Sequence, residues 1–127
     1  MLRELKQMGL RIGLATATPE ARTRKYLRMV GAEAAFDAVA CAEMVAHGKP
    51  APDVYLLAAR KLNLPPRVLL GVEDSPSGVQ SAHAAGMVVA MVPDQDQPSA
   101  EIAALCALVA PSLAGIAPFV KESLRRP

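Results

Sequence analysis

Residues 68–92, VLLGVEDSPSGVQSAHAAGMVVAMV, decide the fold. Val68 to Val72 is a continuous apolar run, the pattern of a strand covered on both faces. Ser75 and Pro76 follow as an N-cap and a proline at the first helical position, opening a small-residue helix that Gly86 ends. Met87 to Val92 is a second strand of the same buried kind.

The same alternation extends outward in both directions. Toward the N-terminus, Leu2, Leu5 and Met8 recur at helical spacing until Gly9, and Arg11 to Ala15 then makes a short buried strand. Thr18, Pro19 and Glu20 read as N-cap, first helical position and first-turn acid. That helix runs to about Val30, with Tyr26, Leu27 and Val30 inward, and Gly31 stops it. Asp37 to Cys41 is a strand of small residues, followed by the glycine- and proline-rich loop VAHGKPAP. Pro52 and Asp53 open a helix with Val54, Leu57, Ala58 and Leu62 on its apolar face, ending before Pro65 and Pro66. Toward the C-terminus come a short helix near Glu101 to Leu105, an edge strand at Leu108 and Val109, and an amphipathic helix from Ile116 to Leu124. Apolar strands alternating with helices predict an α/β fold, a Rossmann-like parallel sheet with helices on both faces.

The 127 residues suit one domain, 1–127. A hydrophobic fraction of 52% with 20% charged residues excludes a chain too polar to fold. The net charge of +2 is a weak signal. Its densest basic group, Arg22, Arg24, Lys25 and Arg28, reads as the solvated face of a helix, and an aromatic content of 3% removes the stacking platform of single-strand nucleic-acid binders. Cys41 and Cys106 form no CxxC pair, so reduced thiols are expected and no zinc or redox motif is seen. No apolar stretch is long enough to span a membrane, and the N-terminus reads as a helix and not a signal peptide, so the expected location is cytoplasmic.

Open parallel sheets bind ligands outside the carboxyl ends of their strands, and three such ends carry suggestive residues. Thr16 to Thr18 follow the first strand, Lys49 lies in the loop after the second, and Glu73 and Asp74 follow the third. A hydroxyl beside helix N-terminal amides, an ammonium and paired carboxylates are what a phosphate ester with a bound divalent cation needs. Adjacent carboxylates repel unless a cation is near, and magnesium, a hard ion taking few protein ligands, suits them. A plainer reading stands beside each: Asp74 or Ser75 caps the next helix while Glu73 points to solvent, Lys49 is a solvated loop lysine, and Thr16 bonds nearby backbone. His47 and His83 have no metal-ligand partner at useful spacing and read as structural or exposed.

GLATATP at 13–19, HGKPAPDVY at 47–55 and GVEDSPSGVQSAHAAGM at 71–87 resemble, in order and spacing, the second, third and fourth motifs of the haloacid dehalogenase superfamily. They look closest to its β-phosphoglucomutase and phosphoglycolate phosphatase-like branch. The resemblance implies that Thr16 and the Ala17 amide hold the transferring phosphoryl group and that Lys49 neutralises it together with a nucleophilic carboxylate. It places Glu73 and Asp74 at an Mg2+ site, with Asp74 the expected direct ligand. It further implies a phosphatase or phosphomutase acting on a small phosphorylated metabolite through an aspartyl-phosphate.

The family's first motif, DxDGT, which supplies the nucleophile, does not occur in these 127 residues, nor does the helical cap that selects the substrate. The expectation is therefore a partial core that is inactive alone, with a non-catalytic phosphate- and metal-binding or interaction module as the alternative. The family's strand order puts the first strand between the strands ending at Ala15 and at Val72. Without it both inner edges are unpaired, which predicts self-association.

Overall fold

The computed structural model describes residues 2–94 and 97–125. Its elements in chain order are α1 (Leu2–Gln7), β1 (Gly13–Thr16), α2 (Glu20–Met29), β2 (Ala38–Cys41), α3 (Asp53–Leu62), β3 (Leu70–Glu73), α4 (Pro76–Ala84), β4 (Val88–Met91), α5 (Ala100–Ala103), β5 (Leu108–Val109) and α6 (Ile116–Arg125). All strand pairs are parallel. They fall into two sheets instead of one, β1–β2 and β3–β4–β5, because β1 and β3 do not hydrogen-bond to each other.

The punctuation around α4 and the glycine stops work as the sequence predicts. Ser75 Oγ accepts from the Gly78 amide at 3.2 Å and Pro76 opens α4. Gly9, Gly31 and Gly86 take positive φ after their helices, where a side chain is disfavoured. Asn63, left-handed at φ 59, ends α3 before the proline pair.

Helices cover two faces of the first sheet. On β2, Ala40 joins the larger core with Val54, Ala58 and Ala59 of α3, while Val39 and Cys41 turn the other way to meet Leu27 of α2. This alternation is the two-residue period of a strand. The larger core then runs through α3 and α4 to Val89 and Met91 of β4, so one apolar cluster reaches both sheets.

Four expectations change. Thr18 does not cap α2: Pro19 occupies the cap position without a side-chain bond, and Glu43 Oε1 accepts from the first helical amide, Glu20, at 2.6 Å. Tyr26 and Val30 are 63% and 55% exposed, because only Thr23 and Leu27, four residues apart, are buried on α2. On α3 the buried set is Val54, Tyr55, Ala58, Ala59 and Leu62, with Leu57 only partly covered. Neither β3 nor β4 is covered throughout, since Val72 is exposed between buried Gly71 and Glu73, and Val88 is exposed at the start of β4.

The exposed side of β3 borders a groove of about 510 Å³ shared with β1. Ile12, Leu14, Leu70 and Val72 line it from the two sheets, and Phe119 and Val120 from α6.

Candidate active site

β3 delivers Glu73 into the protein interior at its carboxyl end, leaving it 8% exposed. Room for the carboxylate exists because residue 78 is glycine: a Cβ there would overlap the Glu73 carboxyl group. Gly78 lies in the first turn of α4, where the helix dipole favours a negative charge. Lys49 Nζ donates to Glu73 Oε2 at 2.7 Å, and the Tyr55 hydroxyl donates to the same oxygen. Lys49 Nζ also lies 5.4 Å from the centre of the Tyr55 ring. A buried carboxylate is costly unless paired, and here an ammonium and a phenol satisfy it together.

Tyr55 is 7% exposed. Burial first, then the charge of Glu73 and the bond to it, then the charge of Asp74, push its phenol above the ordinary range. It therefore stays a neutral donor. The sequence reading missed this residue. Its one signal was a phenol on a helix that faces the core, since a buried Tyr hydroxyl usually needs a partner.

Of the residues singled out from sequence, the fold joins Lys49 and Glu73 directly, 24 positions apart in the chain. Glu73 does not point to solvent, and Lys49 is largely covered and paired instead of free. Asp74, next along the chain, is exposed beside Ser75, the cap of α4. Thr16 closes β1, where its Oγ1 accepts from the Thr18 amide at 3.1 Å, which leaves the hydroxyl proton to donate elsewhere. Ala17 is exposed, and its amide donates no hydrogen bond among the described residues. No hydrogen bond links Thr16 or Ala17 to the Lys49–Glu73 pair among the described residues. His47 is exposed near Asp53, and His83 is exposed on α4.

The donor set fits a hard divalent cation. Both hydrogen bonds to Glu73 fall on Oε2, and no buried side-chain oxygen or nitrogen lacks a partner among the described residues, so the unpartnered Oε1 is reached by solvent. With the exposed Asp74 carboxylate this offers two hard oxygen ligands, a number magnesium accepts when water and phosphate oxygens complete its shell. No group of three or more His, Cys, Asp or Glu side chains suited to a metal occurs among the described residues.

Parallel strands whose carboxyl ends gather polar groups beside helix N-termini define the class of open α/β proteins that bind ligands at that edge. Residues 1–86 match the haloacid dehalogenase-like hydrolases, and the chain belongs to that family. It is 41% identical over 93 residues to protein CbbY of Rhodobacter capsulatus, covering 71% of this chain and 41% of the relative. It is 41% identical over 88 residues to hexitol phosphatase B of Escherichia coli, covering 69% and 40%. The crystal structure of CbbY from Rhodobacter sphaeroides in complex with phosphate superposes with a TM-score of 0.80 at 31% identity, covering 91% of this chain and 52% of that one. The structure of a putative β-phosphoglucomutase from Thermotoga maritima superposes at a TM-score of 0.85 and 29% identity, covering 95% of this chain and 56% of that one. These relatives put the chain in the phosphoglucomutase and phosphatase branch. The chain spans about two fifths of the length of the curated relatives it matches.

Proposed function

We propose that residues 1–127 form one core domain that supplies the phosphate-binding and metal-binding side of a phosphotransfer site. In the intact protein it acts as a phosphatase or phosphomutase on a small phosphorylated metabolite. The Thr16 hydroxyl and the free Ala17 amide donate to phosphoryl oxygens. Lys49 neutralises charge on the phosphoryl group while its contact with Glu73 holds it in place. Glu73 and Asp74 hold Mg2+, which when bound offsets phosphoryl charge, and such charge stabilisation dominates phosphoryl transfer. The observation that carries this reading is the part-buried Lys49–Glu73 pair at the carboxyl end of β3.

The nucleophile in this reading is an aspartate that becomes phosphorylated, splitting the reaction into two easier steps. No DxDGT stretch occurs in the 127 residues, so this chain alone turns over no ester. We also assign the protein to the cytoplasm. Support comes from two free thiols, buried Cys41 and half-buried Cys106, and no helix among the described residues is long and apolar enough to cross a membrane.

The test is an NMR titration of the folded chain with Mg2+ and phosphate or vanadate. Resonances of Thr16, Ala17, Lys49 and Asp74 should move together, and Thr16→Ala and Lys49→Ala should weaken the response. Shifts confined to Arg22 through Arg28 would overturn the reading. With p-nitrophenyl phosphate only background hydrolysis is expected. Turnover by the chain alone that vanishes in Asp74→Ala would move the nucleophile to Asp74.

A further inference from the structure

We propose that Tyr55 is a positioning residue of the site: its hydroxyl and Lys49 together occupy Oε2 of Glu73, which fixes the carboxylate and reserves Oε1 for a cation. The cation rests on the function proposed above, whereas the positioning of the carboxylate follows from geometry alone.

Tyr55 sits on α3, and its ring is held against β3 at Gly71, where a Cβ would lie 3.6 Å from Tyr55 Cε1 and 2.9 Å from Ala82 Cβ. The absence of a side chain at Gly71 lets the ring approach the strand that carries Glu73 two residues later. A rigid ring on a packed helix then presents its hydroxyl at a fixed point. Lys49 has a long flexible stem and three donors, so by itself it allows Glu73 several orientations. With the phenol added, two donors converge on one oxygen from two different segments. The other oxygen lies against Gly78 in the first turn of α4, reached by solvent and without a partner. Groups that orient a metal-binding carboxylate in this way affect metal affinity without touching the metal.

Tyr55→Phe keeps the ring, its packing and its place beside Lys49 while removing the hydroxyl. The first readout needs no metal: the side-chain carboxyl carbon resonance of Glu73 in 13C-labelled chain, assigned through Glu73→Gln, should shift in Tyr55→Phe with the backbone spectrum otherwise kept. The second is Mg2+ titration, in which the dissociation constant should rise about tenfold. An unchanged Glu73 carboxyl resonance overturns the positioning role, as does unchanged Mg2+ affinity accompanied by a lowered melting temperature, which marks a purely structural tyrosine. If the wild-type chain binds no Mg2+ near Asp74, the functional reading fails while the carboxyl resonance still decides the role of Tyr55. Should Tyr55→Phe not fold, 3-fluorotyrosine at positions 26 and 55 retains the hydroxyl and alters its donor strength. The Glu73 resonance must then move, and a resonance that stays in place overturns the proposal.

Discussion

Gly78 has a clear physical task, because a methyl group on its Cα would overlap the Glu73 carboxylate. Gly78→Ala gains about 1 kcal/mol of helix propensity in α4 but forces Glu73 out of its bonds with Tyr55 and Lys49, an overpacking cost of about 1–3 kcal/mol. The expected net loss of stability in urea unfolding is about 1 kcal/mol, with Mg2+ binding weakened far more than the fold. A variant that binds Mg2+ like the parent would show that Glu73 does not need its buried position. The sequence exposed Lys49 and Glu73 as candidates through their places after strands and through the family motifs. It did not reveal that they touch, because a contact between positions 24 apart is made by the tertiary packing of α3 and α4, not by local spacing. Tyr55 stayed hidden for the same reason, its partner lying 18 positions away.

The start of α2 depends on a remote group, since Pro19 has no side chain able to cap it and Glu43, just beyond β2, accepts from the Glu20 amide. Glu43→Ala should therefore cost about 1 kcal/mol in urea unfolding, the usual effect of losing a cap. An unchanged midpoint would mean that water replaces the carboxylate without loss. Asp37 plays a comparable part at the entry to β2: its carboxylate accepts from Lys6 of α1 at 2.8 Å and from the Ile12 amide at 2.7 Å. The Lys6 hydrogen bond, then the Ile12 amide, hold its carboxyl below the usual range. A depressed folded-state pKa contributes stability above the unfolded value of about 3.9 and loses it as pH falls through the folded value. Melting temperature should thus drop as pH is taken from about 6 to below about 4, and Asp37→Asn should melt lower at pH 6 but lose less on acidification. Equal slopes for the two proteins would remove Asp37 from the acid limb. Caps and stops contained within a few residues, such as Ser75–Pro76 and Gly86, were legible in the sequence. The inward face of α2 was not, because Tyr26 and Val30 fit a helical apolar stripe as well as Thr23 and Leu27 do. Only the position of β2 decides which pair is covered.

At the scale of the whole molecule, no strand among the described residues lies between the two parallel sheets, and their inner strands β1 and β3 border one groove. Among the described residues β1 pairs only with β2 and β3 only with β4, and the two inner strands do not close the gap by pairing with each other. The groove between them is walled by Ile12 and Leu14 on one side and Leu70 and Val72 on the other, with Phe119 of α6 also lining it. Each inner strand offers a row of free amides and carbonyls, and such apolar edges invite pairing with another chain. Neighbouring strands need about 4.8 Å of lateral separation, so one added strand that bonds to both edges would join the sheets into a single sheet of six. The carboxyl end of a strand placed parallel there would emerge between Thr16 and Glu73, the two strand ends that carry the proposed phosphate and metal ligands. The 127-residue chain alone should therefore elute as oligomers or be poorly soluble. Fusing to its N-terminus a segment with an apolar strand and a DxDGT sequence should give a monodisperse protein with a higher melting temperature and magnesium-dependent phosphatase activity. Size-exclusion chromatography and thermal melting of both forms decide the matter. A cooperative monomer from the short chain, unaltered by the added strand, would mean that α6 and the groove's own side chains already satisfy these edges and that the fold requires no further strand.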